Sequence, residues 1–285
     1  MTRSLSKNEA RVVLDLEWRG QGTVTLEDLR RILGASDSYA RYMAHRLVSK
    51  GWLERLRPGL FQLVPASRGR EGIADSNPLS AGAVLVTPYF FSFGTACTYH
   101  GLTEQVFAEI YIACRELRRS EIIRGKLYVF ARTPAARFFG SEEVSALGRP
   151  VQMATVERAL LDSIDRPRFS GGIGEVSRIA ARSTPRLSWE TLVRFASRWG
   201  SSALVQRLGF FLDLHRAEAP EDARGALVSL IRPDSKIQLG SRRRWGTSGK
   251  LVLPWNVIQN VPLDVLLPKG EVRRSVVFRP RKKSQ

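Results

Sequence analysis

Helix start and stop signals are crowded into residues 25–59, so no long element fits between them. Thr25 with Asp28 three residues on approximates a capping box, and Gly34 ends the helix they open. Ser36 or Asp37 caps the next helix, and Pro58-Gly59 interrupts two short apolar–polar alternations. The segments between these signals are short and patterned. Leu5 to Arg19 carries Val12, Val13 and Leu16 at helical spacing, and "TLEDLRRIL" has an apolar face of Leu26, Leu29, Ile32 and Leu33. A helix over 38–50 and a hairpin in "GWLERLRPGLFQLV" complete the set. Helix, helix, turn, helix, hairpin within about 60 residues is the order of a winged helix-turn-helix.

The 38–50 helix has two unlike faces. At about 100° per residue, Ala40, Met43, Ala44 and Leu47 fall on one side, as a core face should. The other side collects Ser38, Arg41, Tyr42, His45 and Ser49, with Arg46 at its edge. That face holds no acidic residue, and every member can donate a hydrogen bond to a phosphate or a base edge. A solvated basic face with no special role is the plain alternative. The preceding helix, the Gly34 turn and a hairpin bearing Arg55 and Arg57 favour DNA binding over it. The expected DNA-binding residues are Ser38, Arg41, Tyr42, His45, Arg46, Arg55 and Arg57.

Charge supports an anionic partner. Among 285 residues, 45 Lys+Arg oppose 27 Asp+Glu, a net of +18. A solubility charge or an acidic protein partner is the alternative. Residues 1–70 hold thirteen basic and seven acidic side chains, and residues 230–285 hold thirteen and three, so the ends carry most of the excess. Arg242, Arg243, Arg244, Arg273 and Arg274 are a candidate second basic surface, for DNA or RNA, followed by Arg279, Arg281, Lys282 and Lys283.

The rest of the chain predicts a mixed α+β protein: a winged helix over 1–65, a linker over 66–78 and a larger mixed α/β domain over 79–285 with a helical C-terminal portion. "PASRGREGIADSNP" is rich in Pro, Gly, Ser and charge, as linkers are. Residues 106–117 and 125–133 alternate like strands, and "TVERALLDSI" reads as a helix capped by Thr155. Helices follow in "SWETLVRFASRWG" and "ALVQRLGFFLDLHR", and short strands are expected at Lys236–Leu239, Lys250–Trp255 and Ser275–Phe278. With 43% hydrophobic residues the chain can bury a proper core. The N-terminus lacks an apolar signal core, and "AGAVLVTPYFFSF" is broken by Pro88 and too short to span a bilayer, so a cytoplasmic protein without a membrane partner is expected.

Signals for an enzyme are thin. "GGIGEV" lacks the third glycine of a dinucleotide fingerprint, and in "GTSGK" Leu251 stands where a phosphate loop has Ser or Thr. Cys97 and Cys114 lack metal-ligand spacing, and His45, His100 and His215 are scattered, so no metal or cofactor is expected. Glu109, Glu116 and Lys126 could be arranged into a nuclease-like cluster, but nothing in their spacing distinguishes them from strand-end surface charges. A nucleic-acid-processing enzyme delivered by an N-terminal DNA-binding module is the runner-up reading.

The order of pieces resembles the AbiEi-type abortive-infection antitoxins, a family of winged-helix transcriptional repressors. A winged helix ending in "GWLERLRPGLFQL" is followed by "TPYFFSFGTACTYHGLTEQ" (87–105), "MATVERALLDSIDRP" (153–167) and "LVQRLGFFLDL" (204–214), each similar to a block of that family. Together they span roughly residues 8–215. Each block also has a structural reading. Tyr89, Phe90, Phe93, Leu160, Leu161, Leu208 and Phe211 are core candidates; His100 before Gly101 reads as a helix C-cap; Glu157 is expected to join Arg158 or Asp162 in a salt-bridged network. The resemblance implies a repressor-antitoxin of a type IV toxin–antitoxin system. Its partners would be operator DNA with inverted repeats and a nucleotidyltransferase-like toxin. Such toxins carry Gly-Ser followed by Asp-x-Asp, and Gly140-Ser141, Gly200-Ser201 and Gly240-Ser241 have no such pair behind them, so the chain is not itself the toxin.

Overall fold

A computed structural model describes residues 4–66, 77–146 and 149–267. Most of the expected linker, Arg273, Arg274, the expected strand Ser275–Phe278 and the basic tail lie outside the described residues.

Residues 4–64 fold as their signals dictate. Helix α1 (Lys7–Trp18) precedes strand β1 (Thr23–Thr25), helix α2 (Leu26–Leu33), helix α3 (Asp37–Ser49) and strands β2 (Leu53–Arg57) and β3 (Leu60–Leu63). Thr25 and Asp28 exchange hydrogen bonds at 2.9 and 3.1 Å, closing the capping box at the start of α2, a cap of about 1 kcal/mol. Gly34 ends α2 at φ +62°, a left-handed conformation that costs a side-chain-bearing residue, and the Ser36 hydroxyl accepts the Tyr39 N–H at 3.4 Å to start α3. The strands form an antiparallel sheet in the order β1-β3-β2. Val12, Val13 and Leu16 of α1, Leu29 and Ile32 of α2, and Ala40, Met43, Ala44 and Leu47 of α3 share one buried core with Trp52, Leu53 and Phe61. These elements have the order and pairing of a winged helix-turn-helix.

Helix α4 (Pro78–Ala83) and strands β4 (Tyr89–Phe91), β5 (Glu109–Cys114), β6 (Glu121–Ile123), β7 (Lys126–Arg132), β8 (Ser141–Ala146) and β9 (Arg149–Ala154) come next, with helix α5 (Phe93–Tyr99) between β4 and β5. The sheet runs β6-β7-β5-β4-β9-β8 and mixes directions: β5 is parallel to β7 and antiparallel to β4, and β4 meets β9 in parallel at Phe91 and Met153. Helix α4 approaches this sheet at Gly82, where a Cβ would sit 2.9 Å from the Phe91 ring.

The remaining elements are helical with one small sheet. They are α6 (Val156–Asp165), α7 (Ile173–Ser183), α8 (Trp189–Trp199), α9 (Ser202–Leu214), α10 (Glu221–Ser229), β10 (Ile237–Gln238), α11 (Arg242–Trp245), β11 (Lys250–Val252), β12 (Val257–Gln259) and α12 (Leu263–Leu266). The chain divides into two compact units. One holds the winged helix, α4 and the six-stranded sheet; the other holds α5 and everything from α6 onward.

In the second unit Arg158 and Asp162 are buried together, joined by two hydrogen bonds of 2.8 and 3.0 Å. The Arg158 guanidinium also donates to the Arg137 and Phe139 carbonyls, and Ser92 donates to Asp162 at 2.5 Å, so neither charge lacks a partner. The expected role of Glu157 is corrected. Instead of joining that pair it accepts the Ser188 N–H at 2.8 Å, because its side chain meets the loop before α8. Trp255 lies across α9 at Gly209, where a Cβ would sit 2.1 Å from the indole. Its N–H donates to Asp213 at 2.7 Å, Asp213 pairs with Arg224, and the Arg224 guanidinium sits 5.1 Å above the Trp255 ring.

Candidate nucleic-acid interface

The outward face of α3 is where periodicity places it. Ser38, Arg41, Tyr42, His45 and Ser49 are exposed, and Tyr42 retains 54% of its accessible surface although it is aromatic. Its ring lies 6.0 Å from that of Tyr39. Among the described residues Arg41 has no ion-pair or hydrogen-bond partner, so its guanidinium is available to an external anion. Asp37, the one acid on the helix, is engaged by Arg30 at 3.1 Å.

Arg46 is placed differently from its neighbours. It donates to Glu9 of α1 at 3.2 Å, and Lys50 donates to the other oxygen of the same carboxylate at 2.6 Å. Glu9 is 1% exposed, and it also accepts the Ser6 N–H at 2.7 Å. Burial alone pushes its carboxyl pKa up, but the bonds from Lys50, Ser6 and Arg46 outweigh that and bring it from 4.5 down to about 2. The arrangement fastens the C-terminal end of α3 to the first turn of α1. The N-terminal two-thirds of its outer face stays open.

The β2–β3 hairpin carries Arg55 and Arg57 toward the Pro58-Gly59 turn. A register irregularity between Arg55 and Arg57 twists the strand there, as bulges do. Arg55 is exposed, whereas Arg57 lies 3.4 Å from Glu121 on β6. A second tie runs from Arg124, in the β6–β7 turn, to Glu54 of β2 and, at 2.9 Å, to Gln62 of β3. The hairpin is therefore held from behind by the β6–β7 hairpin. Neither Glu9 nor this pair of ties is among the sequence expectations; the spacing Ser6-x-x-Glu9, a capping box in the structure, is the local signal from which Glu9 could have been found.

Arg242, Arg243 and Arg244 form the exposed turn of α11 in the second unit. Arg242 donates to Gln238 at 2.8 Å, and the Arg244 guanidinium sits 5.0 Å above Trp245. The residues of the family-like blocks have packing roles. Phe90, Phe93, Leu160, Leu161, Leu208 and Phe211 are buried and Tyr89 is half-buried. His100 is the C-cap of α5, its Nε2 2.7 Å from the Ala154 carbonyl, and Thr155 caps α6 through the Arg158 N–H. Cys97 and Cys114 are buried free thiols, and burial pushes Cys97 up to about 12, leaving it a neutral packing residue. Glu109 and Lys126 begin the parallel strands β5 and β7, while Glu116 follows the far end of β5, so the structure separates that grouping. Among the described residues no helix is long and apolar enough to cross a membrane.

A capped helix-turn-helix with an open, acid-free face and a basic hairpin wing belongs to the architecture of DNA-binding regulators. Residues 11–64, from within α1 to the residue after β3, match a family model described as "Transcriptional regulator, AbiEi antitoxin". That match supports a DNA-binding transcriptional regulator or antitoxin, and the blocks at 87–214 fall beyond it. No curated protein matches the chain. Three solved chains match. Among them is the crystal structure of the RV2827C protein from Mycobacterium tuberculosis, 17% identical, which covers 90% of this chain and 92% of its own length with a TM-score of 0.59. At that identity the likeness is one of fold, and it extends well past the winged helix.

Proposed function

We infer that the protein is a cytoplasmic transcriptional repressor and antitoxin of a type IV toxin–antitoxin system. In this reading α3 enters the major groove of operator DNA, with Ser38, Arg41, Tyr42 and His45 at the base edges. Arg55 of the wing contacts the backbone, with Arg57 bracing the wing through Glu121, and the repressed operon is its own. The second activity is to counteract a nucleotidyltransferase-like toxin in abortive infection and phage defence. The observation that carries the reading is the exposed, acid-free face of α3 on a module that matches the antitoxin regulator family. DNA binding and antitoxin action are assigned as separable tasks, the first to residues 1–65 and the second to residues 79–285. Arg242, Arg243 and Arg244 supply a second anion-facing surface.

Two measurements test this. Gel-shift titration against the DNA upstream of the protein's own reading frame should give sequence-specific binding. Arg41→Ala or Tyr42→Ala should weaken it by about 1–3 kcal/mol for each base edge no longer bonded, with little change on unrelated DNA. Unchanged affinity in both variants, each still folded, removes α3 as the reader. Co-expression with a neighbouring nucleotidyltransferase gene should restore growth, and failure to do so at normal abundance removes the antitoxin assignment.

A further inference from the structure

Many of the described arginines of the first unit are ion-paired, and several exposed ones are not. Arg19, Arg30, Arg31, Arg46, Arg57, Arg118 and Arg124 are each committed to a carboxylate within the protein. Arg41 and Arg55, which the DNA reading uses, are exposed and have no such partner among the described residues. Arg11 of α1 shares that condition, and so do Arg115 and Arg119, in the loop "RELRRS" between β5 and β6.

The position of that loop gives the likeness a meaning. Glu121 opens β6 and is the carboxylate that Arg57 of the wing approaches at 3.4 Å. Arg119 is only two residues upstream, about 7 Å of extended chain. Arg118 is turned inward: it donates to the Leu85 carbonyl and to Glu121 at 2.6 Å, with its guanidinium 4.8 Å above Phe130. Its commitment fixes the middle of the loop while its neighbours stay outside. The acids beside the wing are neutralised from within, Glu54 by Arg124 and Glu121 by Arg57 and Arg118. Glu116 is the loop's single acid against three arginines, so the local balance remains positive.

We propose that Arg115 and Arg119 continue the wing's phosphate-contacting surface, so that the β5–β6 loop grips the DNA backbone next to the wing. The inference rests on the DNA-binding reading and adds to it a surface outside residues 1–65. Its contacts reach phosphates and carry no base readout, so they raise affinity for every duplex alike. The ties Arg57–Glu121 and Arg124–Glu54 hold loop and wing in one register, which makes the two grips a single surface.

The test uses the full-length protein, with a duplex from upstream of its reading frame and an unrelated duplex of equal length, titrated by anisotropy at several salt concentrations. Replacing both residues (Arg115→Gln with Arg119→Gln) should reduce the magnitude of the log K versus log[salt] slope by about 1.8 on both duplexes, at about 0.9 per phosphate. The specificity ratio should stay unchanged. The Arg115→Lys, Arg119→Lys pair keeps both charges and should restore the slope, which separates a charge effect from a packing one. An unchanged slope in the double Gln variant, while Arg41→Ala still weakens the upstream duplex, overturns the loop contact and leaves the α3 reading standing. If wild type shows no preference for the upstream duplex and Arg41→Ala changes nothing, both fall together.

Discussion

Removing the charge on Glu9 tests whether the recognition helix is held by electrostatics or by core packing alone. The perturbation is Glu9→Gln, which keeps size and one acceptor oxygen but leaves Lys50 and Arg46 without their shared anion. The folded-state pKa of about 2 against an ordinary 4.5 fixes the magnitude. At 1.36 kcal/mol per unit, the ionised carboxylate contributes roughly 3 kcal/mol to folding at pH 7. The sign follows from the depressed value: the contribution is full above about pH 4.5 and is lost as pH falls toward about 2. By the same linkage less than about half of it remains at pH 3 and little of it at pH 2. The expected cost of Glu9→Gln at neutral pH is about 2–3 kcal/mol, below the value for a fully buried pair, because Lys50 and Arg46 can turn to water. Urea unfolding of wild type and variant at pH 7 and pH 3, following the winged-helix transition, reads this directly. Their difference should shrink by about half or more at pH 3. A cost that is equal at the two pH values, or absent at pH 7, would refute the argument and assign the placement of α3 to Ala40, Met43, Ala44 and Leu47 alone.

Two further outcomes are expected. A fragment starting at Asn77 should stay folded and lose upstream-DNA binding while keeping toxin neutralisation. The ties that the deletion removes include Arg57–Glu121 and Arg124–Glu54, beside a cleft of about 340 Å³, and circular dichroism with a growth assay checks the fragment. Replacing Arg242, Arg243 and Arg244 with Gln should lower the salt slope by about 0.9 for each phosphate released, if these residues track duplex DNA. An unchanged slope with lost growth rescue instead assigns them to RNA or an acidic toxin surface.

Features encoded over three or four residues were legible in the sequence. The Thr25–Asp28 box, the Gly34 stop, the Ser36 cap and the Pro58-Gly59 turn each act on their immediate neighbours, and each appears where its chemistry demands. Helical periodicity likewise gave the open face of α3, because the buried Ala40–Leu47 stripe fixes its rotation. What failed depends on distant partners. Glu9 and Lys50 are 41 residues apart, Arg124 and Gln62 are 62 apart, and no local pattern announces either pair. Glu157 was assigned to Arg158 or Asp162 for want of any sign that Ser188, 31 residues on, would claim it. The parallel meeting of β4 with β9 was illegible for the same reason, since 62 residues separate Phe91 from Met153. Compact units also ignore chain order: α5 interrupts the strands of the first unit yet belongs to the second.

At Gly209 two physical preferences oppose each other inside one helix. By intrinsic propensity alone, alanine would suit the middle of α9 better, by about 1 kcal/mol. The Trp255 indole occupies the space that the added methyl would need, 2.1 Å away, so that gain is out of reach. A design procedure that ranks helix positions by propensity would choose Gly209→Ala and would evict the tryptophan. Asp213 and Arg224 would lose their aromatic neighbour with it. A single missing methyl group thus makes the seating of the C-terminal strands a matter of size exclusion, and residue 209 reports on segments that lie tens of residues downstream.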